Sequence, residues 1–185
     1  MSTTTPVLVP TGTWVVDPAH SKVGFAVKHM GIATVRGEFT EFEGTLRIGE
    51  GGLSSATATG AVKVASVDTN EAQRDEHLRS ADFFDAEQHP ELRFTSKRVE
   101  PVGAESFRLT GDLTINGVTN EIQLVAEVQG TDVDPWGNER VGLEITGQLS
   151  RGDYGMKFNQ ALGSGNMLVA DKVKLALDVS AVKQA

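Results

Sequence analysis

Cysteine is absent from this 185-residue chain. That excludes a disulfide scaffold, cysteine-ligated zinc or iron–sulfur centres, and a thiol nucleophile. Basic residues are scarce as well: 17 Lys and Arg stand against 25 Asp and Glu, a formal charge of -8. A dedicated nucleic-acid surface carries the opposite balance, so no nucleic-acid partner is expected, although a local basic patch is compatible with the total. No apolar run approaches the roughly 18 residues of a spanning helix, so no integral membrane span is expected. The stretch from Met1 to Pro10 has neither a positive n-region nor an apolar h-region. Without those marks of a secretory signal, the expected location is cytoplasmic. Catalytic fingerprints are missing too: there is no G-x-S-x-G elbow, Walker A loop, H-E-x-x-H pair or dinucleotide motif. Gly49-Glu-Gly-Gly52 reads as a turn, not a phosphate loop.

What the chain has in quantity is strand-forming residues. Val, Ile and Thr supply 43 of 185 positions, and Gly another 20. Alternation with period two recurs throughout, the mark of strands with one face buried. Val23, Phe25, Val27 and His29 share a face, followed by Val35, Gly37 and Phe39. Phe42, Gly44, Leu46 and Ile48 resume out of phase, which places a bulge or sharp coil near Thr40-Glu41. A strand over Thr57–Val67 points Val62 and Val64 inward, and Leu92–Val99 is the next. Phe107, Leu109, Gly111, Leu113 and Ile115 lead to Asn116-Gly117, the strongest hairpin signal present. Stripes beginning at Val118, Val141 and Val173 complete about eight strands, mostly neighbours in sequence, and therefore antiparallel. One segment differs: Asn70–Arg79 begins a short helix, capped by Thr69 or Asn70, within a helical insertion near residues 70–88. Two packed sheets or one closed barrel could bury such strands. Long strands with internal glycines, notably Gly37, Gly44, Gly60, Gly111 and Gly147, favour an extended eight-stranded antiparallel barrel of the all-β class. It forms a single domain over 13–182, after a flexible tail over 1–12.

Candidate chemistry is sparse. His20, His29, His77 and His89 lack metal-ligand spacing, and no metal or cofactor is expected. His20, three residues after Asp17, either rigidifies the turn into the first long strand or meets a ligand's polar head. His29 shares the inward parity and is either a hydrogen-bonded interior group or a cavity donor. Arg74, Asp75, Glu76 and Arg79 read as a solvated helix face with local ion pairs. The alternative is an anion-binding rim using Arg79, with Arg36 and Lys28 as weaker candidates. Asp132 to Asn138 reads as a turn and not a calcium loop, with Trp136 packed on a barrel end.

The ordered set of motifs resembles the YceI-like family. Its opening is matched by Trp14-Val-Val-Asp-Pro-Ala-His-Ser21, Val23-Gly-Phe25, Lys28-His-Met30 and Val35-Arg-Gly-Glu-Phe39. Ser66-Val-Asp-Thr69, Arg74-Asp75, His77-Leu-Arg79 and Asp82-Phe-Phe-Asp85 match its middle. Pro90, Phe94, Ser96, Gly111 to Thr119 and Arg151-Gly-Asp-Tyr-Gly155 complete it, so that Thr13 to Val179 is covered. The resemblance implies a lipocalin-like barrel that binds a polyisoprenoid, an isoprenoid quinone or a fatty-acid-like lipid, without catalysis, for storage or transport. It also implies a homodimer as one assembly. Phe25, Val27, His29, Phe39 and Phe42 are the implied cavity lining from the first strands. Val62, Val64, Phe94, Leu113 and Ile115 continue it, and Phe83, Phe84, Met156 and Phe158 lie near its cover. His20, Arg36 and Arg79 are candidate contacts to a polar head. Two alternatives stand beside this reading. One is a structural or protein-interaction barrel with a filled interior. The other is an enzyme acting on an isoprenoid or small hydrophobic molecule, pairing His29 with a carboxylate or Tyr154.

Overall fold

The computed structural model describes residues 9–185. Eleven strand segments, β1 (Gly12–Val16), β2 (Lys22–His29), β3 (Ala33–Phe39), β4 (Phe42–Gly49), β5 (Gly52–Lys63), β6 (Val67–Asp68), β7 (Glu91–Pro101), β8 (Ser106–Ile115), β9 (Val118–Val133), β10 (Glu139–Ser150) and β11 (Val169–Lys183), form one sheet. Three of its staves are interrupted: β1 continues into β2, β3 into β4, and β5 into β6. Counted this way there are eight staves, each paired antiparallel with its neighbour in sequence. β1 pairs with β4 on one side and with β11 on the other, Trp14 facing Leu46 and Lys183. That second ladder closes the barrel and leaves no free lengthwise edge between the first and last staves.

The three interruptions lie side by side. In the first stave, Asp17 caps a single turn of 3-10 helix, Pro18–His20, its carboxylate accepting from the Ala19 N–H. In the second, the chain leaves its pairing with β2 at Phe39 and joins β1 at Thr45. In the third, Val64–Ser66 form another 3-10 turn. Thr40 N–H donates to the Ser66 carbonyl at 3.2 Å and Glu41 N–H to Ser66 Oγ at 3.1 Å, tying the second break to the third. The phase slip between Phe39 and Phe42 is therefore a corner of the whole sheet. Val64 falls in this corner. It is 1% exposed but lies off the strand, so the inward parity it shares with Val62 does not carry it to the cavity wall.

The short helix α1 spans Ala72–Arg79, and its cap is Glu71, not Thr69 or Asn70. Asn70 takes a left-handed φ of 64° instead, and Thr69 is committed to a buried contact with Asp75. The segment 81–88 continues in turns and carries Phe83 and Phe84 back over the barrel. At the Asn116-Gly117 hairpin, φ is 54° and 73°, as a type I′ turn requires. The tail expected over 1–12 lies largely outside the described residues, but order begins before residue 12. Val9 is buried in the core, the Trp14 indole N–H donates to the Pro10 carbonyl at 2.9 Å, and Gly12 opens β1. With Leu46, Ile48, Phe107 and Val141, these side chains pack the barrel end opposite α1. Trp136, expected to pack on an end, is 81% exposed. The turn holding it is organised by Asp134, which accepts from Trp136 N–H, Asn138 N–H and Arg140 Nε.

Glycine at 111 is a steric requirement. A Cβ there would lie 2.5 Å from the Thr95 carbonyl oxygen and 2.7 Å from the Phe94 ring. Gly111→Ala is expected to lower stability by about 1–3 kcal/mol, read from urea unfolding; an unchanged midpoint would show that β7 yields without cost.

Arg140 clamps two carboxylates, Asp17 at 2.8 Å and Asp134 at 2.9 Å. Hydrogen bonds from Arg140 and His20 hold Asp17 at about 2, below its ordinary 3.8. Burial pushes Asp134 up, but donors from Asn138, Arg140 and Trp136 outweigh it and bring it to about 2. A folded pKa below the unfolded one contributes stability that is complete above 3.8 and drains as the pH falls towards about 2. Arg140→Ala should therefore lose most stability near neutral pH, and its difference from wild type should shrink across that acidic window in pH-dependent urea titrations.

Candidate ligand cavity

Period-two alternation sends half of each stave's side chains inward, and here they do not fill the space. Among the described residues two adjoining chambers stand out. The inner one, of about 220 Å³, is walled by Trp14, Phe42, Val62, Phe94, Phe107 and Leu113 among others. The outer one, of about 310 Å³, lies under α1 and the segment 156–168, with walls from Val27, His29, Phe83, Phe84, Met156 and Phe158. Phe25, Phe39, Leu92, Ile115, Leu149 and Leu175 line both, which makes them the neck between the two. Along β8 the lining runs from Phe107 to Ile115, about 27 Å of strand. An engineered apolar cavity of about 150 Å³ stays dry and takes up benzene, so the larger chambers here suit a longer apolar guest.

Aromatic contacts connect the neck to the cover. Phe25 and Phe39 have ring centroids 5.5 Å apart, and Phe39 meets Phe84 edge-on at 5.7 Å. On the other side of the outer chamber, His77 packs edge-on to Phe83 at 5.0 Å and to Phe158 at 4.8 Å. Glycine again makes room: a Cβ at Gly37 would sit 2.4 Å from the Phe25 ring.

Both chambers are almost wholly carbon-walled, and His29, Thr69, Arg74, His77 and Arg151 stand in the lining of the outer one. Arg74 and Glu76 are exposed as a solvated face requires, but Asp75 leaves it. Asp75 is buried and accepts from both the backbone N–H and the hydroxyl of Thr69. Arg74 Nε donates to that hydroxyl at 2.7 Å, and a second Arg74 nitrogen to the Thr69 carbonyl at 2.7 Å. His77 Nε2 lies 2.8 Å from Asp82 Oδ2.

Arg151 is the group that sequence reasoning missed as a site residue. It is 5% exposed and sits 5.9 Å over the Phe83 ring. Its guanidinium donates to three carbonyls, those of Ala170, Met156 and Val169. Burial pushes its pKa down, opposed by the Asp171 carboxylate. A buried cation bonded only to neutral carbonyls keeps a strong field directed into the outer chamber. The signal available was the Arg151-Gly-Asp-Tyr-Gly155 motif, which by itself says nothing of burial.

The expected head contacts lie elsewhere. His20 is bound to Asp17 at 2.8 Å on the outer surface, Arg36 projects from the outer face of β3, and Arg79 Nε donates to the Ala65 carbonyl. None of the three lines a chamber. Tyr154 is buried outside both linings, its carbonyl accepting from the Asn116 side chain. Among the described residues no cluster of His, Asp and Glu could hold a metal ion, and no helix is long and apolar enough to cross a membrane.

The YceI-like domain model matches residues 14–181, closing stave included. The chain belongs to the YceI-like family. This YceI-like chain is 38% identical over 165 residues to Protein YceI of Escherichia coli O157:H7, covering 89% of this chain and 83% of that protein. The crystal structure of the Campylobacter jejuni YCEI protein superposes with a TM-score of 0.72 at 31% identity, over 91% of this chain and 96% of the other. A polyisoprenoid binding domain from Saccharophagus degradans shares the fold, with a TM-score of 0.68 at 15% identity, over 95% of this chain and all of the other.

The three carbonyls bound by Arg151 join β11 to the covering segment. Arg151→Ala is expected to cost about 2–3 kcal/mol through their lost partner, and to speed hydrogen exchange around Met156 and Val169. Exchange unchanged there would show that the cover is held by its apolar contacts alone.

Proposed function

We propose that this protein binds a polyisoprenoid or a similar long-chain amphiphile, without catalysis, and serves to store or transport it. The observation that carries this reading is the apolar compartment itself: two carbon-walled chambers that share an aromatic neck, with His29 and the buried Arg151 in the lining of the outer one. The family and the polyisoprenoid-binding neighbour support a hydrophobic ligand.

The driving force is desolvation. Each CH₂ removed from water contributes about 0.8 kcal/mol, so a dozen outweigh the cost of immobilising the chain. The tail occupies the inner chamber and neck. The head lies in the outer chamber, where Arg151 and His29 offer donors to a carbonyl, hydroxyl or anionic oxygen. A grip of this kind selects chain length and shape more strongly than head-group detail. It also accounts for a cavity in which His29 is hydrogen-bonded to no carboxylate among the described residues, where acid–base chemistry would need such a pair.

Native mass spectrometry of the purified protein, followed by solvent extraction, should reveal a co-purifying lipid. Protein that is repeatedly empty and also refuses prenyl-chain probes would reject the proposal. Leu113→Trp, which fills the inner chamber beside the neck, should weaken binding of a long prenyl probe by about tenfold or more while a short apolar probe still enters the outer chamber.

A further inference from the structure

The outer chamber opens beside two surface features that the barrel itself does not need. The first is an apolar prong. The turn joining β2 to β3 presents Ile32, 79% exposed, and Met30, 36% exposed. Met167, 46% exposed, lies next to it on the covering segment, which is tied to the turn by Met30 N–H to the Leu168 carbonyl at 2.9 Å and by the Asn166 side chain to the Met30 carbonyl. Lys28, His29 and Leu168, the chain neighbours of these tips, line the outer chamber.

The second is a basic strip on the outer faces of the same strands. Lys174 on β11 and Arg36 on β3 flank Ala26 of β2 in register, and Lys28 lies two residues further towards the prong. Lys172 extends the strip along β11. All four are exposed and none forms an ion pair among the described residues. The nearby carboxylates are engaged. Glu38 pairs with Lys22 at 3.3 Å, and Asp171 accepts from Ser150 Oγ and Gly152 N–H. The cover carries Glu71, Glu76, Asp82, Asp85 and Glu87, so the strip stops at its border. Four uncompensated cations beside an apolar prong are a pronounced local reversal in a chain of charge -8.

We propose that this rim docks on an anionic lipid surface, with Ile32, Met30 and Met167 entering the interface and Lys28, Arg36, Lys172 and Lys174 held against the head groups. Apolar insertion and cationic attraction are the two components of interfacial binding, and each needs the other when a prong is this small. The docked rim brings the Lys28, His29 and Leu168 side of the outer chamber up to the bilayer, which shortens the path a guest takes through water. Exposed Trp136 at the opposite end offers no equivalent: it stands by Asp132 and Asp134, Arg140 is already committed to Asp134 and Asp17, and no chamber opens beside it.

The docking surface rests on exposed residues, and its test is independent of cavity occupancy. The full chain is sedimented with vesicles of phosphatidylcholine alone and of phosphatidylcholine mixed with phosphatidylglycerol. Binding is expected only to the mixed vesicles, weakened about tenfold by salt that shortens the screening length. Arg36→Glu with Lys174→Glu, and separately Ile32→Asp, should each weaken it by about tenfold or more. Trp136→Ser should leave it unchanged, and every variant should keep its fold by circular dichroism and its uptake of a prenyl probe from detergent. Wild-type protein that ignores the anionic vesicles overturns the docking proposal, and does so while leaving the cavity reading intact if the probe is still bound. Rim variants that sediment like wild type overturn it too. A change of oligomeric mass in Ile32→Asp, with no vesicle binding by wild type, would assign the prong to a second copy of the chain instead.

Discussion

Along its inner half the first stave gives its backbone to two ladders, one with β4 and one with β11, and the second of these turns a strip of sheet into a closed wall. Closure satisfies backbone groups that an open edge would leave to solvent or to another chain. It also fixes which side chains face inward, because register around a ring cannot slip in one stave without disturbing every other. Cavity, neck and cover all follow from that constraint. The inward faces meet across a space whose width is set by the number of staves, not by the size of the side chains.

Within that wall, small residues decide where large ones can lie. Gly37 stands opposite Phe25 and Gly111 lies under the Phe94 ring, and in each case the ring occupies volume that a methyl group would need. The cavity is thus lined by rings laid against the wall instead of projecting across it. The corner formed by the three aligned interruptions then redirects the staves beneath α1. The structure separates an end where Trp14 and Phe107 wall the inner chamber from the end under α1 that holds the outer one.

Much of this was legible in the alternation pattern. Phe25, Val27, Phe39, Phe94, Leu113 and Ile115 reach the cavity because strand parity is a local property that closure preserves. The break near Thr40 was visible as a phase slip, although its continuation through Ser66 was not, since that depends on pairing between distant segments. Val64 shows the limit of parity: one 3-10 turn removes it from the lining. The polar groups were read less well. Asp75 and Arg151 are charged side chains, which ordinarily stay in water, and only the three-dimensional supply of Thr69 and of three carbonyls makes their burial tolerable. His20 and Arg79 lie outside both linings, because sequence proximity to a motif carries no information about which side of the wall a side chain takes.

Phe39 touches Phe25 in the constriction and Phe84 in the lid-like insertion. A molecule long enough to thread both compartments must slide past that central ring. Threading and capping therefore share a single hinge-pin of stacked carbon, and the barrel has no means of admitting a long tail that its roof does not also feel.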